Sequence, residues 1–195
     1  MNRLPIFFLF LGLATTGIAA PQDSNPSVYE VEVAVIQNNL PDLEGGELWS
    51  QDRVDTNIAD LDKAVLINNV PNPDSDLSRA LENLDADSGY RVLFHKRWVE
   101  EAKPEGNAEL IRINSNDGQL NGTLKFYLSR FLHLDVNLLM QEGDPTTMVQ
   151  ADGIPGALLY RISQERRIHS GDVQYFDHPK FGALIAVTPV LSNKR

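Results

Sequence analysis

The chain has 195 residues, a formal net charge of −10 and no cysteine. That composition excludes a disulfide framework, thiolate catalysis and cysteine-ligated metal, so stability must come from burial and hydrogen bonding. The charge is uneven: residues 20–110 carry 19 acidic and 7 basic side chains, residues 111–195 carry 8 and 9. The N-terminal half is therefore a poor nucleic-acid partner, and an anionic ligand is expected to prefer the C-terminal half.

In chain order, the first segment is a targeting signal rather than part of a fold. Met1-Asn2-Arg3 is basic, Leu4 to Leu13 is apolar, and small residues gather from Ala14 to Ala20. That order is the secretory pattern. Cleavage after Ala19 leaves Gly17 and Ala19 as the small pair and keeps Pro21 away from the first mature position. The apolar run falls well short of the ~20 residues a spanning helix needs. We expect 1–19 to be a cleavable signal peptide and 20–195 a single domain with no membrane span, periplasmic in a Gram-negative-type cell.

Val28 to Ile36 alternates, with Tyr29, Val31, Val33 and Val35 on one face and Glu30 and Glu32 on the other, which predicts a half-buried strand. Residues 38–70 read as an irregular acidic excursion, with a helical turn near Ile58 to Ala64. Pro71-Asn72-Pro73-Asp74 is a turn. Asp74, Ser75 and Asp76 offer N-caps for a short helix with Leu77, Ala80, Leu81 and Leu84 on one face. Tyr90 to Val99 is a second strand, Pro104-Glu105-Gly106 a charged turn, and Glu109 to Ile113 a third strand ending in an Asn116-Asp117-Gly118 hairpin turn.

From Leu120 to Met140 the even positions are almost all apolar: Leu120, Leu124, Phe126, Leu128, Leu132, Leu134, Val136, Leu138 and Met140. A period of two held this long means one long strand, or two joined without a change of face. Arg130, the one charge on that face, marks a bulge or bend. Ala157 to His169 is a further strand. If it folds back on the preceding one, Tyr127, Phe131, His133, Asp135, Arg161, Arg167 and His169 share one surface and Arg166 faces away. Val173 to Phe176 is short, Asp177 to Gly182 is a turn, and Ala183 to Val190 is an apolar strand that reads as central. The fold class is α+β, mainly antiparallel sheet with one short helix between the first two strands.

Acyl-transfer chemistry has no signal, since no Gly-x-Ser-x-Gly elbow is present. Carboxylates abound, but no pair stands out for glycoside hydrolysis. His133 with Asp135, and Asp177 with His178, have ligand chemistry suited to a divalent cation. Turn-holding hydrogen bonds explain such residues more simply, and no metal or cofactor is expected. Arginine forks suit carboxylates, and aromatic faces stack on sugar rings. Tyr127, Phe131, Arg161 and Arg167 would thus suit a glycan bearing carboxylates, or else form a ladder of cross-strand pairs.

Several blocks resemble one family. They are Tyr29 to Ile36 with Glu47-Leu48-Trp49, and Ser88 to Trp98. Leu120 to Leu124 leads into Ser129-Arg130-Phe131-Leu132-His133-Leu134-Asp135. Glu165 to Ser170 follows, then Tyr175-Phe176-Asp177-His178-Pro179-Lys180-Phe181-Gly182. In these blocks the chain resembles the CsiV family of periplasmic cell-shape-integrity proteins. It departs from the family pattern at Phe131, Ile168, His169 and Gln174, and residues 38–70 do not match.

The resemblance implies a non-enzymatic protein that binds peptidoglycan and supports wall synthesis. It would do so by promoting a class A penicillin-binding protein through that enzyme's lipoprotein activator. The strand-face reading supplies the candidate ligand-binding residues: Arg130, Phe131, His133, Arg161, Arg167 and His169, with Asp177 and His178 at a turn. A protein-binding adaptor for wall enzymes, with little wall affinity of its own, is the alternative, favoured by the acidic N-terminal half. A wall glycan hydrolase is a third reading.

Overall fold

The computed structural model describes residues 28–39, 54–85, 89–142 and 158–190. The expected signal peptide, residues 40–53 of the acidic excursion and the Gly143 to Gly156 connection lie outside them. The strands are β1 (Val28–Asn38), β2 (Tyr90–Glu101), β3 (Leu110–Asn114), β4 (Leu120–Leu128), β5 (Leu132–Glu142), β6 (Leu158–Ile168), β7 (Val173–His178) and β8 (Phe181–Pro189), with one helix, α1 (Asp76–Asp85), between β1 and β2. They form two four-stranded sheets, ordered β2-β1-β8-β7 and β3-β4-β5-β6. All of these pairings are antiparallel.

The sheets pack face to face, and alternation decides what lies between them. Tyr29, Val31, Val33 and Val35 of β1 and Ala183, Ile185 and Val187 of β8 meet Leu124 and Phe126 of β4 and Leu134, Val136 and Leu138 of β5 in one core. Tyr29 and Phe126 meet edge to face, with ring centroids 5.3 Å apart. Each fully buried large side chain of this kind contributes about 1.5–3 kcal/mol. β8 is central, between β1 and β7, as its apolar run predicts.

The run from Leu120 to Met140 is two strands. Leu128 pairs with Leu132 across the turn Ser129–Phe131. Even residues therefore oppose even residues, and the apolar face continues through the hairpin. Arg130 stands in that turn, at the expected bend.

Three expectations need correcting. The polar face of β1 is not solvated: α1 covers it, and Glu32 is only 4% exposed. Leu77 and Leu81 pack on Ala34, with Ile36, Val92 and Leu184 around them. Ala80, expected on the same helix face, is exposed. The turn expected over Asp177 to Gly182 is tighter, because His178 pairs with Phe181 around Pro179-Lys180.

Residues 54–75 wrap the sandwich. Arg161 of β6 holds Asp55 (Nη1 to Oδ2 3.2 Å), and Arg112 of β3 donates to the Leu61 carbonyl at 3.2 Å. The second anchor opens a 3-10 turn, Leu61–Lys63. The strap thus crosses the outer face of the second sheet from β6 to β3. Val65 then pairs with Ile111 of β3, and Val70 N donates to the Arg97 carbonyl of β2 at 2.7 Å. These contacts cap two strand edges that would otherwise offer unpaired backbone to another chain. On the opposite side, Arg166 bridges β6 and β7 by donating to the Tyr175 carbonyl at 2.8 Å.

Candidate functional site

The outer face of the second sheet is a grid set by strand register. Thr123 lies opposite Asn137, Lys125 opposite Asp135 and Tyr127 opposite His133 on β4 and β5. On β6, Glu165 lies opposite Asp135 and Arg167 opposite His133. The alternating pattern thus brings Tyr127, His133, Asp135, Arg161 and Arg167 to one face. Phe131 and His169 flank it at the strand ends.

At the β4–β5 turn, Phe131 is 37% exposed and lies against two guanidinium groups. Arg167 Cζ is 3.4 Å from the ring centroid and Arg130 Cζ 5.4 Å. Arg130, Arg167 and His169 are all exposed. The turn is anchored by Leu128 N, which donates to the Lys103 carbonyl at 2.8 Å. One row inward, Tyr127 and His133 stack at 5.0 Å with 15° between ring planes. The Tyr127 hydroxyl donates to Glu165 Oε1, and His133 Nδ1 lies 3.5 Å from the same oxygen. Burial, reinforced by the Glu165 carboxylate, holds the Tyr127 phenol far above its ordinary range, so it stays a neutral donor. Tyr127 is buried, so it supports the turn from beneath and does not form a stacking platform.

The remaining expected residues lie elsewhere or are already engaged. Arg161 anchors the strap through Asp55. Asp177 and His178 do not join the Phe131 cluster. The His178 ring rests 5.3 Å from that of Tyr160, near the start of β6, and Arg167 is about 23 Å further along the strand at ~3.3 Å per residue. His178 Nδ1 accepts from Lys180 N at 3.2 Å. Burial holds its imidazole below the usual histidine range, which favours the neutral acceptor. Among the described residues no group of three or more His, Asp or Glu side chains is placed to hold a metal ion.

A family model described as peptidoglycan-binding protein, CsiV, matches residues 53–190. The chain belongs to the CsiV family. No curated protein and no solved structure matches it. The match spans the strap, α1 and every strand from β2 to β8, so it takes in the whole outer face of the second sheet. The family name supports peptidoglycan binding as the property of this CsiV chain.

The CsiV face also carries a cleft that pattern reading did not isolate. It encloses about 450 Å³ between the strap at Ala59, Asp60 and Lys63, the loop at Gly106 and Glu109, and the sheet at Thr123, Lys125, Asp135 and Asn137. Lys63 pairs with Asp60 at 2.6 Å, and Glu109 with Lys103 at 3.0 Å. Partial burial, with Glu165 close by, raises the Asp135 carboxyl above its ordinary range, against the pull of Lys125. The odd positions of β4 and β5 were visible as a polar face in the sequence. The strap side of the wall that turns that face into a cleft comes from Ala59, Asp60 and Lys63, sixty or more positions away.

Proposed function

We propose that this protein is a periplasmic, non-enzymatic accessory factor that holds peptidoglycan at the β4–β5 turn and so supports wall synthesis and cell shape. It would act by promoting a class A penicillin-binding protein together with its lipoprotein activator. The observation that carries the reading is the exposed Phe131 ring set against the guanidinium groups of Arg130 and Arg167. An aromatic edge offers apolar contact to a sugar ring, and the arginine forks match carboxylates of the wall's peptides. Both arginines lie in the less acidic half of the chain, where an anionic polymer meets least repulsion.

Co-sedimentation of the purified protein with isolated sacculi tests this. Saturable pelleting is expected, weakening as salt shortens the screening length to below about 10 Å. Arg130→Ala/Arg167→Ala and Phe131→Ala variants, checked for folding, should each bind about tenfold more weakly or worse. Wild-type protein that stays in the supernatant at low salt would overturn the reading and favour the adaptor alternative, to be pursued by pull-down of wall synthases. The promoting role predicts faster glycan polymerisation when the protein is added to a class A synthase with its activator. An unchanged rate removes that part of the proposal.

Asp135 and Glu165 stand opposite each other in register, a place on this face where two carboxylates could serve a hydrolase. Glu165 is engaged by the Tyr127 hydroxyl, and the pair is assigned no catalytic role. Release of soluble fragments from sacculi by the pure protein would contradict the non-enzymatic assignment.

A further inference from the structure

The cleft beneath the strap has a charge arrangement that the wall-binding turn does not use. Its two other ionic partnerships are closed within the protein, Lys63 with Asp60 and Glu109 with Lys103. Lys125 and Asp135 are different. They occupy directly opposed positions on β4 and β5, yet neither forms an ion pair with the other or with any further described residue. Opposed positions of an antiparallel pair hold their Cβ atoms about 4.5–5.5 Å apart. The cleft floor therefore presents one cation and one anion side by side without an ion pair; the Lys125 ammonium lies 5.9 Å from the Tyr127 ring centroid, a contact that leaves its charge unneutralised.

The next pair along the floor adds a polar group without a partner. Asn137 Oδ1 is buried and receives no hydrogen bond. Its cross-strand neighbour Thr123 is 3% exposed. A buried acceptor left empty is costly; Asn137 lines the cleft, with this oxygen turned away from solvent. The negative charges of Glu165 and Glu105 act on Asp135 and raise the cost of its ionised form, which an incoming cation would relieve.

We propose that this cleft binds the zwitterionic end of a peptidoglycan stem peptide, with an α-ammonium at Asp135 and the α-carboxylate of the same amino acid at Lys125. A free amino-acid end fits because it carries one charge of each sign on a single carbon, and the two opposed side chains offer one of each. The volume of about 450 Å³ suits a residue or two and excludes a folded partner. Wall glycan lacks an ammonium group beside a carboxylate, whereas stem peptides that contain a diamino diacid carry one. The inference rests on the wall-binding reading and assigns the two ends of the face separate tasks: Phe131 and its arginines hold the polymer, and the cleft reads the peptide.

The test is calorimetric titration of the purified protein with the stem tripeptide L-Ala-D-Glu-meso-diaminopimelate and with the same peptide N-acetylated at its free amines. The unmodified tripeptide should bind, and the acetylated form should lose about tenfold or more in affinity. Lys125→Gln and Asp135→Asn should each show a loss of the same order with unchanged melting curves. Tripeptide binding that is absent, or indifferent to acetylation and to both cleft variants, overturns the proposal. Sacculus pelleting of the wild type run beside it separates the two readings. Pelleting without tripeptide binding discards the cleft and keeps the wall-binding turn. Tripeptide binding without pelleting keeps the cleft and discards the turn.

Discussion

Glu100 lies two residues along β2 from Trp98 and accepts the indole N–H at 2.9 Å. Burial pushes its carboxyl up to about 7, with repulsion from Glu109 adding to the effect and the Trp98 hydrogen bond and Lys103 opposing it. Between the ordinary glutamate range and pH 7 the folded state therefore binds this proton more tightly than the unfolded chain. Stability falls as pH rises through that window, and the full penalty is present above about pH 7. Glu100→Gln keeps an acceptor for Trp98 and is expected to stabilise the protein at pH 8 by about 2 kcal/mol. It should bring no gain at pH 4. Urea titrations at the two pH values check this, and an equal gain at both would refute the ionisation argument. Glu32 shows the opposite solution to burial. It accepts from Ser75 Oγ at 2.9 Å and Ser78 Oγ at 3.1 Å, with His95 Nε2 at 2.8 Å. In the sequence Glu32 reads as one polar position of a half-exposed strand, because its partners come from α1 and β2.

The elements were legible where a period ran long enough. The even-position stripe from Leu120 to Met140 specified both a strand face and its continuity through the turn. The helix signal was equally local: Ser75 Oγ accepts from Ser78 N at 2.9 Å, a side-chain N-cap, and Leu77, Leu81 and Leu84 follow at helical spacing. Glycine at 122 belongs to this scale as well. A Cβ there would come within 2.8 Å of Leu138 Cα, so the β4–β5 pair needs glycine at its closest approach. α1 is held to the first sheet mainly by Leu77 and Leu81, and Leu81→Ala is expected to cost about 2–4 kcal/mol. The β4–β5 turn lies on the far sheet, so the folded fraction of this variant should still pellet with sacculi. A loss of pelleting beyond the unfolded fraction would show that the helix, too, contributes to wall contact.

At the scale of the molecule, three layers are stacked: helix, first sheet, second sheet. The fourth surface, the outer face of the second sheet, is partly roofed by the strap and carries both proposed contacts. Residues 54–64 of the strap meet the rest through one ion pair, single hydrogen bonds and Ile58, which is 7% exposed. The core strands share a continuous apolar interior. Hydrogen exchange should therefore protect β1, β8, β4 and β5 most, while amides in residues 54–64 exchange through local opening. Strap amides exchanging as slowly as those of β8 would mean that the roof is part of the cooperative core and the cleft is rigid. Slowed strap exchange on adding the stem tripeptide is the companion result that the cleft proposal expects.

The sequence alone determined the character of each strand, the helix and its cap, the turn at Arg130, the polar face carrying Tyr127, His133, Asp135, Arg161 and Arg167, and the absence of cysteine chemistry. All of these follow from side-chain periods of 2 and 3.6 or from residue type, which are local properties. Only the tertiary structure decided that Glu32 is buried, that Arg161 anchors the strap, that Asp177 and His178 stand far from Phe131, and that Lys125 and Asp135 floor a cleft. Each of those depends on which strand lies beside which and on where residues 54–75 pass. Long-range pairing of that kind is set by the summed burial of the whole core, and no short window of sequence contains it.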